Sequence, residues 1–279
     1  MAAWALVIAG AAGGSLLDTG RAPGPSLAGG YYVLAADFHV HAFPGDGALP
    51  SWELAREASR RGLHAIVVSN HNQTLAPKIL PGLFSGAVLL IPAQEVTTPR
   101  FHLVAAGITR TVDWRKGERE IVRDIHAQGG VVIAAHPVGR YWRGGDAMLA
   151  AIDAAEVAHP LTGMLDTARD ELTSFFTRAR VVNPGLAPIG SSDFHMVAPL
   201  GVCRTHVFAE SVTVKGVLDA IRAGRTVAQD QAGVLYGAPA LTLLLDQTRA
   251  AAPQAPARRL PRLSAMLALL GLLALVMLG

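Results

Sequence analysis

Short runs of aliphatic and β-branched residues alternate along the chain with segments whose apolar positions recur at helical spacing. The runs include YYVLAADFHV (31–40), AIVVSNH (65–71), AVLLIPAQEV (87–96), FHLVAAGI (101–108) and VVIAAHP (131–137). AAEVAHP (154–160), APIGSSDFH (187–195) and THVFAE (205–210) continue the series. Between them the spacing predicts helices over about 51–61, 116–128, 165–180 and 214–223, the last with Gly224 placed to cap it. Repeated βα units predict a parallel sheet, open or closed into a barrel.

Proline, glycine and alanine mark the edges of this unit. RAPGPSLAGG (21–30) reads as a connector, and TRAAAPQAPARRLPR (248–262) as a tether. The expected organisation is an apolar N-terminal segment and linker over 1–30, a catalytic-type domain over 31–237, a strand or tether over 238–262, and an apolar tail over 263–279. Residues 1–17 carry no charge and lack the basic start of a secretory signal, so they read as a weak signal or an anchor. The tail, LSAMLALLGLLALVMLG, is uncharged over 17 residues. At about 1.5 Å per residue it reaches about 25 Å, near the lower limit of a span. The expectation is membrane association through this tail. Arg21, Arg258, Arg259 and Arg262 all lie on the domain side of the two apolar ends, which favours the cytoplasmic face.

Composition narrows the class. The chain has 279 residues and is 51% hydrophobic, enough for a large core. Its formal charge of +3 equals the three arginines of the tail, so the rest is near neutral and no nucleic-acid partner is expected. Cys203 is the single cysteine, which excludes an intrachain disulfide and thiolate zinc sites.

The chemistry sits at the ends of the β-type runs. His39 and His41 close the first, His71 the second, Glu95 the third, His136 the run VVIAAH, and Asp193 with His195 the run GSSDFH. In a strand, residues two apart share a face, so His39 and His41 can grip one ion. The C-terminal rim of parallel strands is where such folds gather their sites. Imidazole and carboxylate ligands suit zinc, manganese and iron.

These motifs, DFHVHAFPGDG, AREASRRGLHAIVVSNHN, AQEVTTPRFHLVAAGI, AAHP and GSSDFH, resemble the PHP (polymerase and histidinol phosphatase) family, with a nearer likeness to its CehA/McbA-type branch of metallohydrolases, which includes carbamate-cleaving enzymes. LGVCRTHVFAE and VLDAIRAGRTVA are similar to that branch's closing strand and helix. The resemblance implies an α/β fold, a distorted (β/α)7 barrel, holding two or three divalent ions (Zn, Mn or Fe). By position it assigns His39, His41, Asp46, His71, Glu95, His102, His136, Asp193 and His195 as metal ligands. It further implies hydrolysis of a small-molecule substrate by a hydroxide bridging the ions. A small phosphate ester is the favoured substrate, with a carbamate, amide or carboxyl ester as the alternative. A non-catalytic membrane-tethered binding module is the alternative of another class.

Two positions depart from the family pattern. Asn70 and His64 stand where aspartate is common, and Asn70 is expected to orient His71 by a hydrogen bond. Asp193 and His195 are the expected catalytic pair, joined by Arg140, whose loop leaves the run ending in His136 and which is placed to bind a substrate oxyanion. His159, with Glu156, could add a ligand or a substrate contact. His126 is expected at the surface, and His64 and His206 in packing or surface roles.

Overall fold

The computed structural model describes residues 4–7, 24–75, 88–196, 198–251, 270 and 273. The chain divides into two compact units, Ala22–Ala251 and a second made of Met1–Arg21 with Ala252–Gly279. The sheet and its helices belong to the first.

Its strands are β1 (Ser26–Ala28), β2 (Tyr31–Val40), β3 (Ala65–Val68), β4 (Leu89–Thr97), β5 (His102–Ala106), β6 (Val131–Ala134), β7 (Ala154–Ala158), β8 (Ala187–Gly190), β9 (Arg204–Ala209), β10 (Thr226–Gln229) and β11 (Leu235–Gly237). The longer helices are α1 (Ser51–Arg60), α2 (Glu118–His126), α3 (Ala168–Val182), α4 (Val214–Arg222) and α5 (Pro239–Ala251), with a single helical turn at Asp146–Leu149. β2 is buried continuously from Val33 to Val40, as a strand covered on both faces must be. α1 buries Leu54, Ala55 and Ala58 on one face, and α2 buries Ile121, Val122 and Ile125. The Thr213 hydroxyl accepts the Gly216 N–H at 3.0 Å and starts α4, while Gly224 ends it at φ +65°, a conformation that favours glycine.

One sheet runs in the order β11-β10-β9-β2-β3-β4-β5-β6-β7-β8, with β1 beside β2. It is mixed, which corrects the expectation of a parallel sheet. The pairs β2–β3, β3–β4, β6–β7 and β7–β8 are parallel, whereas β4–β5, β5–β6 and β2–β9 are antiparallel. For β4–β5 the cause is connection length. β4 and β5 are joined by a tight turn in which the Thr98 N–H reaches the Phe101 carbonyl at 3.1 Å, leaving no room for a crossover helix.

The sheet curls until β8 meets β9 and β10 through side chains. Thr205 Oγ1 accepts the Gly190 N–H at 2.9 Å and donates to the Gly190 carbonyl at 2.8 Å, and Thr226 Oγ1 donates to the Pro188 carbonyl at 2.8 Å. A Cβ at Gly190 would collide with the Arg204 carbonyl, so the close approach requires glycine. The result is a nearly closed barrel. Its core joins Leu34, Ala36 and Phe38 of β2 to Ile91, Val104, Ile133, Ile189 and Val207, with Val217 and Ile221 of α4 in the same cluster.

Both ends of the unit are more ordered than expected. Ser26–Ala28, placed in a connector by composition, pairs antiparallel with β2, and Pro239–Ala251 is helical where a strand or tether was expected. The expectation of a membrane-associated protein is corrected as well: among the described residues no helix is long and apolar enough to cross a membrane. The run 263–279 that prompted it lies outside the described residues, Leu270 and Leu273 excepted, and the side assigned from the arginines falls with it.

Candidate metal centre

The strand ends bring the nine expected ligand residues to one rim. His39 and His41 leave the same face of β2, fully buried, with their Nε2 atoms 3.1 Å apart. Val40 between them points the other way, into the cluster that holds Leu54 of α1. Glu95 sits at the junction. Its Oε2 lies 2.7 Å from His71 Nδ1, 3.3 Å from His39 Nε2 and 3.4 Å from His41 Nε2, and its Oε1 lies 2.8 Å from His102 Nδ1 and 3.3 Å from His136 Nε2. Asp193 Oδ1 approaches His39 Nε2 at 3.3 Å, His41 Nε2 at 3.4 Å and His195 Nδ1 at 3.5 Å. Asp46 spans two layers: Oδ1 accepts from His41 Nδ1 at 2.9 Å, and Oδ2 stands 3.2 Å from both His71 Nε2 and His195 Nε2. Burial falls off outward, from His39, His41 and Glu95 at the floor to His71 and Asp46 exposed at the rim.

Potential ligand atoms fall into overlapping groups within 4.8 Å of one another: His41, Asp46, His71 and His195; His39, Glu95 and His136; His39, His41 and Asp193; His39, Glu156 and His159. Buried Glu95 Oε2, Asp193 Oδ1 and His136 Nδ1 have no hydrogen-bond partner, an arrangement that costs free energy unless something else satisfies those lone pairs. A cation does so. The donor set, imidazoles and carboxylates without thiolates, fits zinc, manganese or iron.

The charge balance points the same way. Burial works to lower the His39 pKa, but the carboxylates of Asp193, Glu95 and Glu156 together outweigh it and hold it well above the ordinary value. His41, also opposed by burial, is pushed up to about 10 by Asp193, Asp46 and Glu95. Burial works to raise Glu95 and Asp193, yet His39 and its neighbours hold both well below the usual carboxylate range. Four acids around these rings therefore draw positive charge, as protons or as metal ions.

A second layer fixes the rings. Glu156 Oε1 accepts from His39 Nδ1 at 3.0 Å and from the Ser191 hydroxyl, while Oε2 accepts the His136 N–H at 2.5 Å. Carboxylate and carbonyl oxygens only accept, so a proton sits on Nδ1 of His39 toward Glu156 and of His41 toward Asp46, and in their neutral, cation-binding form these two rings present a bare Nε2. His195 meets an acceptor at each nitrogen, the Asp193 carbonyl 3.0 Å from Nδ1 and Asp46 Oδ2 3.2 Å from Nε2. His71 Nδ1 also lies 2.7 Å from the Thr97 hydroxyl. Asp37, buried two residues before His39, accepts Ser192 Oγ at 2.5 Å, Ser192 N–H at 3.0 Å and Gly201 N–H at 2.8 Å, bracing the loop that carries Asp193. Burial drives the Asp37 pKa up to about 6 against these hydrogen bonds. Asp37, Thr97, Ser191 and Ser192 were not singled out from sequence; an acid inside an apolar strand, on the face of His39, was the available signal for Asp37.

Two expectations need correction. Asn70 does not orient His71. Its Oδ1 accepts the Ala42 N–H at 2.8 Å, and its Nδ2 donates to the Ala42 carbonyl at 2.6 Å and the Pro44 carbonyl at 3.0 Å. Arg140 does not line the site: it is exposed, its guanidinium carbon 5.2 Å from the Tyr141 ring centroid. Tyr141, which was not singled out, does line it, packing 4.9 Å from His136 and 5.3 Å from His102 between ring centroids. The cavity, about 160 Å³, is lined by His71, His102, His136, Asp193, His195, Tyr141 and Leu161. His136 and Asp193 hold positive φ, 28° and 47°, which is strained for residues other than glycine. His126 pairs with Asp153 at the surface, His64 Nδ1 accepts the Ala35 N–H, and His206 meets Gln229, consistent with roles outside the site.

A family model described as PHP-associated matches residues 183–226, which carry β8, Asp193, His195, β9 and α4. No curated protein matches the chain. Among solved structures, the chain is similar to a two-domain protein from Bacteroides vulgatus containing a predicted PHP-like metal-dependent phosphoesterase. The two are 22% identical, with a TM-score of 0.67 over 81% of this chain and 74% of that one. It is also similar to PsfC from Pseudomonas syringae, at 15% identity and a TM-score of 0.51 over 78% of this chain and 97% of that one. At such identities the likeness is one of fold: an α/β, barrel-like sheet. Nothing in it singles out the carbamate-cleaving branch.

Proposed function

We propose that this chain is a metal-dependent hydrolase that holds two or three divalent ions and cleaves a small phosphate ester. The observation that carries the reading is the pair of buried, unpartnered carboxylate oxygens, Glu95 Oε2 and Asp193 Oδ1, facing the Nε2 atoms of His39 and His41. His39, His41, Glu95 and Asp193 would hold one ion, Asp46, His71 and His195 a second, and His102 and His136 with Glu95 a third. When bound, such ions lower the pKa of water and stabilise negative charge developing on a substrate oxygen.

The chain's own residues do the rest. Glu156 and Asp46 lock the imidazoles of His39 and His41 in the tautomer that faces the centre. Asp193 and His195 line the cavity, so they meet both the ions and the scissile group. A cavity of about 160 Å³ is smaller than the roughly 300–1,000 Å³ of pockets that enclose a whole drug-sized ligand, so it admits the scissile group and leaves the remainder outside. Arg140, exposed and outside the cavity lining, is given no part in binding the substrate.

One observation favours a second reading. Among the described residues lining the cavity none is lysine or arginine, which suits an uncharged carbamate, amide or carboxyl ester. Metal analysis of the purified protein, with a panel of phosphomonoester, phosphodiester, carbamate and carboxyl-ester substrates, tests both. Full metal content in His41→Ala and Asp193→Ala would refute the metal-centre assignment, and faster turnover of a neutral ester than of any phosphate would overturn the phosphoesterase reading.

A further inference from the structure

His159 follows β7 directly and is 2% exposed, and it is tied to the fold by the opposite ring nitrogen from its neighbours. Its Nδ1 accepts the Leu161 N–H at 3.2 Å, starting the helical turn Pro160–Gly163. An amide N–H only donates, so Nδ1 carries a lone pair and the proton of the neutral ring sits on Nε2. His39 and His41 run the other way, with Nδ1 directed at a carboxylate and Nε2 bare in the neutral ring. Ligation through His159 Nε2 with Nδ1 still accepting would need a ring stripped of both protons, although its position beside His39 and Glu156 suits a ligand by distance alone.

That Nε2 is buried without a hydrogen-bond partner, 3.6 Å from Asp193 Oδ2 and 3.9 Å from Glu156 Oε2. Glu156 Oε2 already accepts the His136 N–H, which leaves Asp193 Oδ2 as the nearer open acceptor. The other oxygen, Oδ1, faces His39 and His41. We propose that His159 is a positioning residue, an N–H donor that engages Asp193 Oδ2 and so turns Oδ1 to the ions, and that it is not a further metal ligand. The inference rests on the metal-centre reading. It also gives the strained backbone of Asp193, at φ 47°, a side-chain anchor.

Nitrogen NMR of the full chain with labelled histidine reads the tautomer, and competition with a chelator reads Zn²⁺ affinity and stoichiometry in the parent, His159→Gln, His159→Leu and Asp193→Ala. The expected result is a protonated Nε2 in both metal-free and Zn²⁺-loaded protein, with full Zn²⁺ stoichiometry in both His159 variants. His159→Leu should bind about 10–100-fold more weakly, the usual cost of losing a group that holds a ligand, and His159→Gln, whose amide can place an N–H near the same point, should restore most of the loss. Loss of the Nε2 proton on loading, loss of an ion in His159→Gln, or parental affinity in His159→Leu would overturn the proposal. Undiminished Zn²⁺ content and affinity in Asp193→Ala would refute the metal centre instead. If His159→Leu does not fold, the NMR result and His159→Gln still decide.

Discussion

Asn70→Asp changes one atom, yet the structure makes it costly. The buried amide reads both backbone groups of Ala42: the N–H can only donate, so Oδ1 must face it, and Nδ2 must face the two carbonyls of Ala42 and Pro44. A carboxylate keeps the first contact and turns the other two into oxygen facing oxygen. Two hydrogen bonds of about 0.5–1.5 kcal/mol each are lost, and a buried charge without a partner costs about 3–5 kcal/mol where it cannot be relieved. Pro44 O retains a donor in Gln73 Nε2 at 3.1 Å, which softens one of the two. The terms sum to about 4–8 kcal/mol, and the retained donor places the expected loss at pH 8 toward the lower end of that range.

Protonation relieves it, because a neutral acid can donate to one carbonyl. The folded-state pKa of the new group is thus raised above the unfolded value of about 3.9. Between those two values the folded state binds more protons than the unfolded chain, so the variant loses stability, relative to the parent, as pH rises through the folded pKa. Below the unfolded pKa the deficit should shrink to about 1–2 kcal/mol, the hydrogen-bond part alone. Urea unfolding of variant and parent, compared at each pH, measures the difference. A deficit under about 1 kcal/mol at pH 8, or one that does not change with pH, would refute the clamp.

Arg140→Ala should leave kcat/KM for a phosphomonoester and metal content unchanged, as its exposed place outside the cavity lining implies; a loss of about 10-fold or more in kcat/KM would bring Arg140 into the substrate site. His136→Gly should be more stable than His136→Ala by about 1 kcal/mol, the reverse of the usual order, because φ there is 28°; equal unfolding midpoints would remove the strain argument. Zn²⁺ at 100 times its dissociation constant should raise stability by about 2.7 kcal/mol, seen as a higher Tm that a chelator reverses. Cys203 is fully buried and its thiol is pushed up to about 12 by burial, so it should resist thiol reagents at pH 8 in the folded protein and react once urea unfolds it; rapid labelling of native protein would contradict the packing.

The parts of this protein legible in its sequence are those that short-range spacing determines. His-x-His on β2 declares a shared face because strand periodicity is two, and α1, α2 and α4 show their apolar stripes in the same local way. Hydropathy marked β4 and β5 as strands, but only the tight turn at Thr98–Phe101 reveals that they run antiparallel, since direction depends on what the connection can span. β1 escaped notice because three residues beside Gly29 and Gly30 carry too little pattern, and its pairing with β2 supplies what propensity does not.

Asn70 shows where local reading stops. Compared with a family pattern, it looks like an aspartate lost beside a ligand, and the natural inference is a second-layer contact to the adjacent His71. The amide instead reaches 28 residues back, to the segment that delivers Asp46, and only an amide matches one N–H and two carbonyls there. The same crowding requires Gly45, where a Cβ would collide with the Asn70 side chain. A departure that reads as a weakening of the site is therefore part of how this chain holds it: Asp46, Glu95 and Asp193 already face the imidazoles directly, and the donor gained at position 70 holds the loop that brings Asp46 within 3.2 Å of both His71 and His195.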